Sequence, residues 1–436
     1  MKKHFSLILA LVLMLTLAAC GNGNSPADNS GGGAQPAAQP ASSGDSSAPA
    51  ADSGDIGGDL VLWFGIEDLG KAFIEAFNVH YPNVNVKLEI IGMEAGEKLS
   101  LDGPSGIGGD VIMVNHNDVF SLFDDGLIEP YPADVESRLR NILLDFVIDM
   151  PQINGNLYGV PFSLENYGLL YNKDLVDKPP ETIEELFEFA ESYNDPSTGK
   201  YAMRWLVNDF YHNYWLFSAF GFKPFGPDGT DWKNPGFDSP EFAQGLELHR
   251  SLRAIFEMPT DDADFEATMG AFGRGEVPFT VAHSWLAAVA RDNGVNVAGA
   301  KLPTINGVQP RCLLGMNLLV VSSYANNFDA AFAFAEFAAS PEAAGIMYGV
   351  NGVGNGLKDT SGIEGYAEDE VLLGFAEQTP YTESFPQMTE FNLIWGPVQE
   401  MMAFNWDDKL TVEDAQKKFM EDFEMALNVS GQSMYD

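Results

Sequence analysis

"LYGVPFSLENYGLLYN", residues 157–172, sets two apolar runs on either side of a short polar interruption. Each run is too short for a helix and is rich in the Leu, Val, Phe and Tyr that suit buried strands, so the stretch predicts strand, polar break, strand. Glu165 stands in the break. A carboxylate there is either solvated or held by hydrogen-bonding partners. The same alternation extends on both sides. Upstream, "DLVLWFG" (59–65) reads as a buried strand; Leu69, Phe73 and Phe77, at i, i+4, i+8, predict a helix that Pro82 ends. "VNVKLEII" (84–91) and "DVIMVN" (110–115), the latter after the turn "GIGG", supply two more strands.

Downstream, Ile183, Leu186, Phe187 and Ala190 share one face of a helix that begins near Thr182, whose spacing to Glu185 fits a capping box. Helices are expected around 209–220, 239–256 and 264–272, then strands at "VPFTVAH" (277–283), "VNVAGAKLP" (295–303) and "LLGMNLLVVS" (313–322). A helix follows over Phe328–Ala339, and the chain from about 363 onward reads as mainly helical. Strands alternating with helices predict an α/β fold with crossover connections.

The N-terminus differs in kind. Lys2 and Lys3 precede a short apolar run, Phe5 to Leu17, which has the shape of a signal peptide and falls short of the roughly 20 residues that span a bilayer. Leu17, Ala18, Ala19 and Cys20 resemble the bacterial lipobox, which implies cleavage before Cys20 and lipid on its sulfur. From Gly21 to about Asp55 the chain is Gly, Ser, Ala, Pro, Asn, Gln and Asp with almost nothing that could form a core. As a flexible coil such a tether reaches roughly 30–35 Å. Residues 1–19 are thus expected to be a signal peptide and 20–55 a lipidated cysteine with its tether.

The body has the length for two cores, and 45% of the residues are hydrophobic. The formal charge of the whole chain, -40, excludes nucleic acid and anionic lipid as natural partners, because both would be repelled. The only thiol besides Cys20 is Cys312, so no internal disulfide is expected once Cys20 is acylated. No HExxH, GxSxG or GxxxxGK[ST] occurs, and the six histidines do not cluster at metal-ligand spacing. The acidic run "DDADFEAT" (261–268) fits the first turn of a helix, where the dipole favours negative charge. "GVGNG" (352–356) lacks the last glycine of a dinucleotide fingerprint and reads as a helix-ending turn. No cofactor, no metal site and no enzyme activity are expected.

The order of landmarks resembles the extracellular solute-binding proteins of bacterial ATP-driven importers, family 1, in the branch of maltose and oligosaccharide binders. The likeness runs through "LVLWFG" and "YPNVNVKLE", "GGDVIMVNHNDVFSLFDDGLIEP", "LYGVPFSLENYGLLYNKDLV", "PPETIEEL", "AFGRGEVPFTVAHSWLAAVA", "AGAKLPTINGVQPRCLLGMNLLVVS", "FDAAFAFAEFAASPEAAGIM" and "PQMTEFNLIW". It implies a periplasmic-binding-protein-like fold of type II, with two discontinuous α/β lobes joined by a hinge and a ligand held between them. Lobe one is expected at 56–163 plus 298–340 and lobe two at 164–297 plus 341–436. The implied partners are a sugar, the transmembrane permease subunits and, through Cys20, the outer face of the cell membrane; a monomer is expected.

Sugars present hydroxyls at their rims and C–H groups on their faces, so carboxylates, amides and flat rings are the groups to seek. By resemblance, Glu165 accepts bonds from sugar hydroxyls and Trp285 in "AHSWLAA" is an aromatic platform. Phe210, Tyr211 and His212 in "NDFYHNYW" correspond to a helix start feeding the cleft, and Asn117, after His116, stands where maltose binders carry a carboxylate. Trp63 in the opening strand is a further aromatic candidate. The chain departs from the maltose pattern at three places: only Gly65, Ile66 and Glu67 follow the first strand, Val114 replaces an aromatic, and Asn392 with Leu393 fills the slot of an aromatic pair. Trp395, one helical turn later, either substitutes or packs in the core. Long maltodextrins are therefore not the expected ligand. Rival expectations are the same fold binding a polyamine, another cation or a peptide, and a secreted glycosidase.

Overall fold

The computed structural model describes residues 56–92 and 94–434; the expected signal peptide, Cys20 and the tether lie outside the described residues. Strand Gly57–Trp63 is central to a six-stranded sheet. It runs parallel to Asn83–Glu89 on one side and to Val111–Asn115 on the other, with Leu62 opposite both Leu88 and Val111. Asn317–Ser322 then pairs antiparallel with Val111–Asn115, placing Leu319 across from Met113, and also pairs with Ile128–Glu129 and Val160–Pro161. Alternation along the first strand feeds two separate cores. Leu60, Leu62 and Phe64 join Phe73, Phe77 and Phe334, whereas Trp63 points to the other face with Ile112, Leu318 and Val320.

A second, three-stranded sheet has Tyr167–Asn172 at its centre, antiparallel to Val297–Ala300 and to Phe279–His283. Helix Glu370–Gln378 lies directly on it. Its approach depends on glycine, because a Cβ on Gly374 would sit 2.1 Å from the Gly299 carbonyl oxygen. The larger core beside this sheet gathers Trp205, Phe210, Trp215, Phe237, Phe242, Trp406, Phe419 and Phe423. Cys312 is buried in it, and burial lifts its thiol to about 12, so it packs as a small apolar residue.

Three chain segments pass between the two sheets. Residues 162–166 leave the first sheet, where Phe162 N bonds Asn317 O, and enter the second at Tyr167. The return passes through Cys312–Leu314, a short strand parallel to Thr382–Ser384, and the third passage follows Gly352, which caps helix Pro341–Asn351 at φ 65°.

Two points differ from the division expected from sequence. Residues 298–300 pair with 169–171 in the second sheet, where the expected boundary assigns them to the first lobe. Helix Pro341–Asn351 belongs with the first sheet, because Ala343, Ala344 and Met347 enter the core built on Phe73 and Phe77. The predicted helix at 264–272 is a π-helical turn, Glu266–Gly270, followed by a short α-turn. Thr182 caps its helix as expected, accepting from Glu185 N at 3.2 Å, while the Glu185 carboxylate reaches back to Glu181 N at 2.8 Å.

Candidate functional site

Glu165 is fixed where the chain first crosses between the sheets. Its backbone exchanges bonds with Gly315, N to O at 2.8 Å and O from N at 3.0 Å, and the Tyr211 hydroxyl donates to the same Glu165 carbonyl at 2.9 Å. One carboxylate oxygen, Oε1, accepts from Ser163 Oγ at 3.1 Å and Asn317 Nδ2 at 2.5 Å. Oε2 accepts nothing from the described residues. Burial pushes this carboxyl above its ordinary range and the Ser163 hydroxyl opposes the shift. The result is a half-buried acceptor with one oxygen anchored and the other uncommitted.

Tyr211 is beside it but is not available as a sugar platform. Its ring is stacked by Phe385 on one side, at 5.6 Å and 5°, and by His283, at 5.3 Å and 21°. His212 is also withdrawn. Its Nδ1 bonds Asp209 Oδ1 at 2.9 Å, and its ring packs against Tyr167 and His283. Phe210 is fully packed among Phe217, Phe237 and Phe242, so it is a core residue. The helix start at Phe210 follows from Asp209, whose carboxylate caps His212 N at 2.8 Å.

The first-sheet side of the crossing contributes the short 3-10 turn His116–Asp118 at the end of strand Val111–Asn115. His116 is buried, with Nε2 facing Met150 O at 3.2 Å, and burial depresses its pKa to about 4. It is not placed to meet a ligand. Asn117 bonds across to Asn392 instead: its Nδ2 donates to Asn392 Oδ1 at 2.9 Å, and Asn392 Nδ2 donates to the Asn117 carbonyl at 3.2 Å. Trp395 packs its ring against Phe391, Phe385 and Phe210, which assigns it to the core edge.

Trp285 is half-buried at the start of helix Ser284–Asp292 and stacks on Phe265 at 6.0 Å and 15°. Trp63 is a correction. It has no exposed surface, its indole donates to Glu89 Oε2 at 2.8 Å, and a Cβ on Gly109 would meet its ring at 2.8 Å. It is a core tryptophan because strand alternation turns it into the core that holds Ile112, Leu318 and Val320.

Residues 72–374 match the family described as bacterial extracellular solute-binding protein. The chain belongs to that family. Among curated relatives of this solute-binding protein, a maltotriose-binding protein of Pyrococcus abyssi is 26% identical over 86% of this chain and 83% of its own. A maltooligosaccharide ABC transporter solute-binding lipoprotein of Streptococcus pneumoniae is 25% identical over 77% and 80%, and a galactooligosaccharide-binding protein of Bacillus subtilis is 23% identical over 92% and 91%. The crystal structure of a cyclo/maltodextrin-binding protein complexed with maltotetraose superposes with a TM-score of 0.73 at 27% identity, covering 85% of this chain and 97% of that one. The fold is therefore the type II arrangement of two discontinuous α/β lobes.

Within this solute-binding protein the crossing brings Glu165, Tyr211 and His212 together; Asn117 is joined to Asn392, and Trp285 stacks on Phe265. Sequence reasoning passed over His283, Phe385, Gln387 and Phe265. The strand register supplies a signal for His283, since Tyr167 lies opposite it. No local pattern marks Phe385, whose place depends on a long-range stack. Among the described residues no group of His, Cys, Asp and Glu could hold a metal ion, and no helix is long and apolar enough to cross a membrane.

Proposed function

We propose that this solute-binding protein captures a carbohydrate between its two lobes and delivers it unaltered to the permease of an ATP-driven importer. Glu165 carries the reading. Its carboxylate sits at the crossing with one oxygen anchored by Ser163 and Asn317 and the other free to accept from a hydroxyl rim. Trp285 supplies a flat, half-exposed apolar face for the C–H side of a ring. Relatives named for maltotriose, maltooligosaccharides and galactooligosaccharides support the ligand class. The lobes close on the ligand about the three crossings, driven only by tighter binding to the closed form. No covalent step is involved. Cys20 carries the lipid anchor outside the cell membrane, and residues 21–55 act as its tether.

A thermal-shift screen of the full-length protein tests the proposal, with mono- and oligosaccharides against polyamines and peptides. A true ligand at 100 times its Kd adds about 2.7 kcal/mol of stability. A rise in Tm with a sugar and with neither control is the expected result. A rise with spermidine or a peptide and none with any sugar refutes it.

A further inference from the structure

One segment of the second lobe, residues 385–394, is fastened to the first lobe along its length. Gln387 Nε2 donates to Met150 O at 2.7 Å, Thr389 Oγ1 to Asp124 Oδ2 at 2.8 Å, and Asn117 Nδ2 to Asn392 Oδ1 at 2.9 Å. Asn392 Nδ2 returns to the Asn117 carbonyl at 3.2 Å, and at the start of the segment the Phe385 ring lies 6.3 Å from that of His116. The polar groups here are committed to one another: the second Asn117 donor goes to Asp118 Oδ1 at 3.0 Å. A sugar ring in van der Waals contact with walls on both faces needs them about 7 Å apart. Side chains of opposite lobes joined by hydrogen bonds leave no such passage.

We propose that this clasp is an end wall of the cleft and limits the length of the saccharide it holds, with Asn117, Gln387 and Asn392 as the residues that set the limit; the proposal rests on the carbohydrate reading above. Two short amides are the right size for the role. They reach each other across the lobes and present no flat face, whereas an aromatic side chain at Asn392 would hold the lobes apart and offer a stacking surface. Asn392 belongs to a rigid element, because the 3-10 turn Thr389–Ile394 is anchored by buried Phe391 and Ile394 and leads directly into helix Trp395–Trp406. The second-lobe half of the wall is therefore fixed to that lobe and moves with it, while Asn117 stays with the first lobe.

Titration calorimetry of the full-length protein with glucose- and galactose-based series of one to four rings tests the length limit. The tightest binding is expected with one or two rings, and binding of four rings at least tenfold weaker. In the double variant Gln387→Ala, Asn392→Ala the four-ring sugar should come within threefold of the two-ring sugar, whose own affinity changes less than threefold. Should that variant lose its circular dichroism signature, Thr389→Ala with Asn392→Ser opens the clasp more gently, removing the bond to Asp124 and loosening the pair with Asn117 while Gln387 stays in place. Wild-type protein that binds four rings as tightly as two overturns the length limit and leaves the carbohydrate reading standing, as does a folded variant with unchanged length preference. Absence of binding at every length in both series overturns the carbohydrate reading and this proposal together.

Discussion

Glu165 and Trp63 were both candidates for ligand contact, and their surroundings assign them opposite roles. Glu165 keeps one carboxylate oxygen uncommitted at the crossing, while every face of Trp63 is enclosed and its one donor is used on Glu89. Substituting each with a near-isostere separates the roles. Glu165→Gln keeps the shape and removes the charge, and hydrogen bonds to a charged group are worth about 1 kcal/mol more than neutral ones. The expected outcome is roughly fivefold weaker sugar binding with the fold intact. Trp63→Phe removes the bond to Glu89 and part of the packed volume, which costs about 1–3 kcal/mol of stability. Its sugar affinity should stay within twofold. Urea melts and calorimetry on both variants decide the matter, and a tenfold loss of affinity in folded Trp63→Phe would return that residue to the binding surface.

Helix Phe210–Ser218 couples a local signal to a long-range one. Asp209 caps it through His212 N and also holds the His212 ring at Nδ1, so one carboxylate starts the helix and orients an aromatic stack. Asp209→Ala should lower stability by about 1–2 kcal/mol and disorder the His212–His283–Tyr211 stack, read as a change in near-ultraviolet circular dichroism. An unchanged spectrum with unchanged stability would contradict it. The cap is the kind of feature a sequence discloses, since it depends on residues three apart. Leu69, Phe73 and Phe77 were legible for the same reason, as were Thr182 and the apolar run at 317–322. The π-helical turn at Glu266–Gly270 was not, because its sequence satisfies ordinary helical spacing and only packing selects the wider turn. Of the candidate site, the position of Glu165 between the two sheets was legible because its polarity interrupts two apolar strands. The withdrawal of Tyr211 was hidden, since Phe385 comes to its ring from 174 residues further along the chain.

Both lobes answer to proton concentration, because buried histidines lie in each. Burial holds His116 and His249 at about 4 and His283 at about 3, against an ordinary value of 6.5. Each is neutral in the folded protein and takes a proton on unfolding once the pH drops below 6.5. The unfolded chain thus binds more protons, so stability rises with pH across this window and falls on acidification. The contribution is fully present above about 6.5 and is lost progressively toward about 4, by about 1 kcal/mol per histidine per pH unit. Asp118 has the opposite sign. Burial pushes its carboxyl up to about 6 from 3.8, with the Asn115 N–H opposing, so between those values the folded form binds the extra proton and acidification stabilises it. Glu165, which burial also raises, opposes in the same sense, and three groups against two leave a net loss. Urea midpoints of the full-length protein should therefore fall between pH 6.5 and pH 4.5, and Asp118→Asn, which removes one opposing group, should steepen the fall. Midpoints that hold level or rise over that interval would mean that these histidines are already protonated in the folded protein, and that the enclosed environment drawn around His116 and His283 is open to water.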